Sequence, residues 1–419
     1  MGNTQTKGKL LIIGGSSGAK DYIRYCREIG VHTIVTDWHT PEVSKTKKLS
    51  DEYWMISALD MDALEQKCRE EGVTGVISGA NEMFLDVAME LSRRLGLRFY
   101  TTPEAWVYPR NKKMFKEMCI KHGLSIAPDY TPLLAEPEKI PLPALIKPTD
   151  SNANRGQTVC RKREDILPAI EYALSFSEKK QVIAEKFLEG EELFVTYTMR
   201  NGEVALSLLC GVYVNEGQPK HCYSVTCNRS VHLKAYMEKV NQKVIAMLKD
   251  MGCINGMAAI SCIAADGDFY FLEMAHRLPG GMIQVGYREI SGVDYAKIFA
   301  DYVLFGDTDC PIVEQTEDYE KIACSYFIWS REGVIARQAG VDTLEKKGYT
   351  VVPYHEPGDR LGGELLVAST AYLVCFSADN DDDFLRKMEE INSTLVCEDE
   401  NGRDLLVRFN NYACIPKRQ

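Results

Sequence analysis

Glu273 and Arg277 stand four residues apart in DGDFYFLEMAHRLPGG, residues 266–281. The run FYFLEM has the apolar, aromatic-rich character of a strand, entered through an Asp-Gly turn. A carboxylate at the end of such a strand can fix a hard, oxygen-seeking cation. An arginine just beyond it offers a two-pronged donor for a carboxylate or a developing phosphate. His276 lies between them; a single histidine at a strand end reads as a packing residue or as one that touches substrate or metal.

A second concentration of chemistry lies upstream. In PLPALIKPTDSNANRGQTVCRK an apolar strand ends in Lys147, a polar small-residue loop follows, and a further strand closes an unusually long hairpin. A lysine there places a point charge against phosphates. The loop Ser151, Asn152, Ala153, Asn154, Arg155, Gly156 lets backbone N–H groups approach anionic oxygens, with Arg155 adding a guanidinium. The same composition also suits a solvated hairpin tip. EKFLEGEE, residues 185–192, then links two apolar stretches. A linker of this kind can meet an adenine with its backbone, and Glu192 is placed to accept ribose hydroxyls.

A third reading attaches to the amino-terminal run KLLIIGGSSGAKDYIRYCREIGVHTIVTD. Strand, glycine turn, helix and strand make a βαβ unit, and Asp37 lies at the distance expected of a ribose-binding acid in a dinucleotide site. Ile13 occupies the position where the full fingerprint requires its first glycine, with Gly15 and Gly18 at the other two. An NAD-binding oxidoreductase is therefore an alternative, beside a βαβ unit whose glycines merely permit the turn.

The elements that must position these groups follow from periodicity and turn residues. Lys9–Ile13 and His32–Thr36 read as parallel strands flanking an Ala19–Ile29 helix, with further strands at 72–80 and 95–102. Met114, Phe115, Met118 and Cys119 suit an amphipathic helix stopped by Gly123. Residues 233–251 read as a helix, 254–273 as a strand pair, and 200–203 as a hairpin turn. Beyond about residue 306 the pattern becomes short strands and turns with one helix near 383–391. The fold class is thus α/β: an amino-terminal parallel-sheet lobe (1–108), an α+β clamp (109–310) and a carboxy-terminal mixed α+β lobe (311–419).

The 419 residues are 45% hydrophobic and 26% charged, with net charge −11. That excludes nucleic acid or an acidic membrane as the main partner, because both require a basic surface. No window of about 18 apolar residues is present, so a membrane span is not expected. The 14 cysteines form no C-x-x-C pair and read as reduced thiols of a cytoplasmic protein. Cys222 and Cys227 lack identifiable metal-binding partners. Gly2 and Thr6 fit an N-myristoylation pattern, although the same stretch also reads as a plain leader.

RNKKMFK, ALIKPTDSNANRG, EKFLEGEELFV and FYFLEMAHRLPGG, in that order, resemble the ATP-grasp superfamily. Its carboxylate–amine ligase branch looks most similar, near enzymes sharing the architecture of biotin carboxylase and the purine-pathway ligases. The resemblance covers nearly the whole chain and implies a pre-ATP-grasp lobe, a split clamp with a lid at about 125–188, and ATP with Mg2+, or Mn2+ in its place. It implies that Lys112 approaches ATP, and that Lys147 contacts the α- and β-phosphates beneath a covering loop at 151–156. Glu185, Lys186, Phe187 and Leu188 would frame the adenine, Glu192 would hold the ribose, and Glu273 would bind the metal. Arg277 would bind the substrate carboxylate or stabilise the acyl phosphate, with Lys147 and Arg155 of the covering loop as the other catalytic residues. The acceptor would lie near His221, Tyr223, Asn228 and Arg229, a segment that also reads as a solvated connection. Small-molecule carboxylate and amine substrates and a homodimer follow from the same resemblance. The chain departs from the family at two metal positions, with Ser261 in place of an acid and Ala275 in place of asparagine. One carboxylate with waters and phosphates, a stand-in residue, or a catalytically silent ATP-binding subunit each accounts for that departure.

Overall fold

The computed structural model describes residues 7–15, 18–149, 155–216, 223–362 and 369–418. Strands Lys9–Ile13, His32–Thr36, Glu52–Trp54 and Gly75–Ser78 form one parallel sheet, with Lys9–Ile13 central. The Ala19–Ile29 helix has the bounds its periodicity predicts. It buries Tyr22, Ile23 and Cys26 and stops where Gly30 turns left-handed at φ 75°.

Residues 95–102 form no strand, contrary to the sequence reading. Leu95 closes the Glu82–Leu95 helix, and the extended run after it is held by its side chains. Tyr100 is buried, its hydroxyl donating to the His276 carbonyl at 2.9 Å. The remaining strand of this sheet is Glu52–Trp54, whose three residues are too few to show a period.

A nine-stranded antiparallel sheet dominates the rest of the molecule. It runs from the hairpin Gly256–Ala265 and Asp268–Ala275 through Glu191–Arg200, Glu203–Tyr213 and Val225–Cys227. It continues through Ile322–Ser330, Thr370–Ala378 and Thr350–Pro353, with Leu406–Val407 beside Ile322–Ser330. The two nine-residue strands, longer than the pattern beyond residue 306 suggests, carry the sheet into the carboxy-terminal third. Cores on the two halves are distinct. One gathers Phe115, Met247, Leu248 and Phe271; the other gathers Tyr326, Leu373's neighbour Val374, Phe384 and Met388.

Helices Ile283–Ser291 and Tyr295–Phe305 join the parallel sheet to the large one, with Tyr295, Phe299 and Val303 packed among Leu10, Ile12, Leu208 and Met257. A separate three-stranded sheet stands over the hairpin end: Ala144–Pro148 at its centre, flanked by Thr158–Cys160 and Val182–Lys186. The Ile166–Ser175 helix covers it, and Ile140, Ile146, Cys160, Ala169 and Ala184 form a small core of its own.

Candidate active site

The hairpin end comes first. Asp266 and Gly267 both adopt positive φ, 51° and 76°, the geometry that a two-residue turn between twisted strands requires. It sets the register from the pair Ala265 and Asp268 to the pair Cys262 and Phe271, and a shift between Cys262 and Ser261 then puts Ser261 opposite Glu273 and Ala259 opposite Ala275. The Glu273 carboxylate is about half exposed, and Lys112 Nζ lies 2.7 Å from its Oε2. Lys112 opens the Lys112–Lys121 helix, whose first turn is fixed by Asn111, its Oδ1 accepting from the N–H groups of Lys113 and Met114. Such a cap contributes about 1 kcal/mol. Glu192 lies on the neighbouring strand opposite Ile263. Burial first, then the fields of Glu192 and Glu273, push the Tyr223 hydroxyl up to about 12. These two acids and Tyr223 therefore share one neighbourhood.

Arg277 is held by the amino-terminal lobe. Its Nη2 lies 3.0 Å and its Nε 3.3 Å from Glu82 Oε1, at the first turn of the Glu82–Leu95 helix, and its Nη1 donates to the Leu278 carbonyl. The expected partner was a substrate carboxylate; here a carboxylate of the chain itself receives the guanidinium.

The three-stranded sheet and the Lys112–Lys121 helix together form a three-member ion cluster. Lys147 Nζ lies 2.5 Å from Glu185 Oε2, and Lys116 donates to Glu185 Oε1. Glu185 is 5% exposed. Burial pushes its carboxyl up, but the two ammoniums outweigh burial and hold it below the usual carboxylate range. Burial and the like charges of Lys116 and Lys112 depress Lys147, against the pull of Glu185. Glu185 thus serves as counter-ion to two lysines.

Lys186 reaches Asp266 at 2.8 Å and so ties the lid to the hairpin turn. The amides of Lys186 and Phe187 donate to the carbonyls of Pro128 and Pro143, the Arg161 guanidinium covers the Phe187 ring, and Leu188 is buried. Gly156 has φ 73°, and a Cβ there would lie 2.8 Å from Phe176 Cβ and 3.1 Å from Pro148 Cγ, so only glycine fits. Arg155 beside it is half-buried. Ser151, Asn152 and Asn154 lie outside the described residues, as do His221 and Cys222.

Several expectations are corrected. Asp37 is buried and fully occupied, by Lys47 Nζ at 2.9 Å, Ser44 Oγ at 2.7 Å and the Gly15 N–H at 3.0 Å. It has no oxygen to offer a ribose. Asn228 and Arg229 are not acceptor-binding groups. Asn228 bonds to Lys321 and Ala323 backbone, while Arg229, 2% exposed, pairs with Asp381 and donates to the carbonyls of Tyr319 and Glu320. His276 is fully buried, its Nε2 2.8 Å from the Asn255 carbonyl; burial pushes it down to about 4, and it packs against Tyr100. The sequence reading missed Lys116 and Glu82. Lys116 lies one helical turn after Lys112, a spacing that could have found it; nothing local marks Glu82. Among the described residues, no group of three or more His, Cys, Asp or Glu is gathered as a metal site, every cysteine is free, and no helix is long and apolar enough to cross a membrane.

Residues 112–281, the span holding Lys112, Lys147, Glu185, Glu273 and Arg277, match the family described as ATP-grasp domain. The chain carries an ATP-grasp domain. The chain is 22% identical over 279 residues to a formate-dependent phosphoribosylglycinamide formyltransferase of Bacteroides thetaiotaomicron, covering 64% of this chain and 70% of the relative. It is 27% identical over 154 residues to a D-alanine–D-alanine ligase of Fervidobacterium nodosum, covering 34% and 46%. In fold it resembles an L-amino acid ligase of Bacillus licheniformis, with TM-score 0.74 and 16% identity over 95% of this chain and all of the other. It likewise resembles a biotin carboxylase domain of Hydrogenobacter thermophilus, solved with MgADP and bicarbonate, with TM-score 0.72 and 18% identity over 95% and 91%.

Proposed function

We propose that this ATP-grasp protein is a cytoplasmic ATP-dependent ligase that activates a small carboxylate as an acyl phosphate and couples it to an amine. The observation that carries the reading is the gathering of Lys112, Lys116, Lys147, Glu185 and Glu273 where the Lys112–Lys121 helix meets the three-stranded sheet and the hairpin: Lys112 bonds to Glu273, Lys116 and Lys147 both bond to Glu185, and Arg277 lies a few residues beyond Glu273 in the chain. Cations on both walls suit a polyphosphate, and an arginine beyond them suits the carboxylate to be activated. The named activities of the D-alanine and L-amino acid ligases point the same way.

In the first step a carboxylate oxygen of the substrate attacks the γ-phosphorus, the bond to the β-phosphate oxygen breaks, and ADP leaves. In the second, the amine attacks the acyl carbon, loses a proton, and expels phosphate. Lys147 holds the α- and β-phosphates, Arg277 holds the carboxylate and then the acyl phosphate, and the lid keeps water from the intermediate. Glu273, with Ser261 opposite, would hold a magnesium ion, which would neutralise charge on the transferring group.

The test is phosphate release from ATP across panels of amino acids and small amines, with hydroxylamine present to trap acyl phosphate. Hydroxamate formed in step with ADP supports the ligase. Tight ATP binding without hydroxamate or product for any pair would favour a second reading, a silent nucleotide-binding subunit, for which the serine opposite Glu273 is the motivating observation.

A further inference from the structure

The motifs account for Lys112 and Lys147 but leave Lys116 without a role. Its ammonium and that of Lys147 occupy the two oxygens of one carboxylate, Glu185, whose side chain is 7% exposed; the lysine side chains are 21% and 23% exposed. Two cations on one anion leave a positive charge with no counter-ion inside the cluster. Lys112, one helical turn before Lys116 on the same helix, adds a third cation, and its own partner, Glu273, is half in solvent. Charges withdrawn from water are costly unless paired. An anion bringing several oxygens between the Ala144–Pro148 strand and the Lys112–Lys121 helix would complete the cluster.

Resting on the nucleotide-clamp reading above, we propose that Lys116 is a direct ligand of the ATP polyphosphate, and that with Lys147 it makes the site select di- and triphosphates over monophosphates. Glu185 keeps both ammoniums facing the gap before the nucleotide arrives, which lowers the entropy lost on binding. Lys116 sits on the helix and Lys147 on the lid sheet. An anion held by both draws lid and body together. A strut that merely supported Glu185 would act on every nucleotide alike; a phosphate ligand acts only on those with a β-phosphate.

Dissociation constants for AMP, ADP and ATP, read by displacement of a fluorescent ADP analogue from the full chain, distinguish the two. Lys116→Ala is expected to weaken ADP and ATP on the order of tenfold, the loss of about one charge-assisted hydrogen bond, while AMP changes less than about twofold and Lys116→Arg recovers most of the loss. Lys116→Gln carries the same expectation should the alanine variant fail to fold. Equal weakening of all three nucleotides, or no change in any, overturns the inference. Lys147→Ala in the same titration separates the two levels. If it too leaves ATP binding intact, the nucleotide-clamp reading fails; if it alone weakens ATP, only the role of Lys116 falls.

Discussion

Ser261 stands directly opposite Glu273 in the antiparallel register of the strands Gly256–Ala265 and Asp268–Ala275, with the ladder shifting immediately after it at Cys262. A second acid at this position would complete a two-carboxylate cation site, and like charges facing each other across strands cost up to about 1 kcal/mol without an ion between them. Ser261→Asp is therefore expected to lower the melting temperature in chelator, to recover it in magnesium, and to tighten Mn2+ binding in the nucleotide complex, measured by electron paramagnetic resonance. Unchanged Mn2+ affinity would place the cation elsewhere.

Arg277→Lys keeps a charge near Glu82 but loses the two-pronged guanidinium. Turnover should drop by about a hundredfold, the size typical of losing one donor to a developing anion, while the ATP dissociation constant stays the same. A variant with wild-type kcat would remove Arg277 from the reaction.

Gly156→Ala tests the tight approach of the loop base to Phe176 and Pro148. A left-handed residue with a crowded Cβ should cost about 1–2 kcal/mol. The loss should appear as faster amide exchange across 140–186 with exchange in the large sheet unaltered, and as weaker ATP binding. Exchange that is uniform with wild type would show that the lid tolerates the added methyl group.

His276 gives a pH dependence. Burial places its folded pKa at about 4, against about 6.5 in an unfolded chain. Between these values the unfolded state binds more protons, so stability falls as pH drops from about 6.5 towards 4, by at most about 3 kcal/mol. His276→Gln should remove that part of the slope in urea midpoints taken from pH 7 to 4. Identical wild-type and variant slopes would mean that the imidazole titrates normally in the folded chain.

What the sequence determined by itself is the local structure and the order of the site. The Ala19–Ile29 helix, the antiparallel pair Ala144–Pro148 and Thr158–Cys160, and the Asp268–Ala275 strand carry their own periodicity and turn residues, and these act over a few residues. It therefore placed Lys112, Lys147, Glu273 and Arg277 on elements that meet. Only the tertiary structure decided which charges face which. Glu185 became the counter-ion of Lys116, 69 residues away, Arg277 took Glu82, 195 residues away, and Arg229 was sealed against Asp381, 152 residues away. Polar residues such as Asn228 and Arg229 turned out to be buried struts, and the three-residue strand Glu52–Trp54 joined the parallel sheet beside His32–Thr36 while 95–102 formed no strand. Ion pairing and burial depend on strand register and on which faces pack together. No window of sequence contains that information.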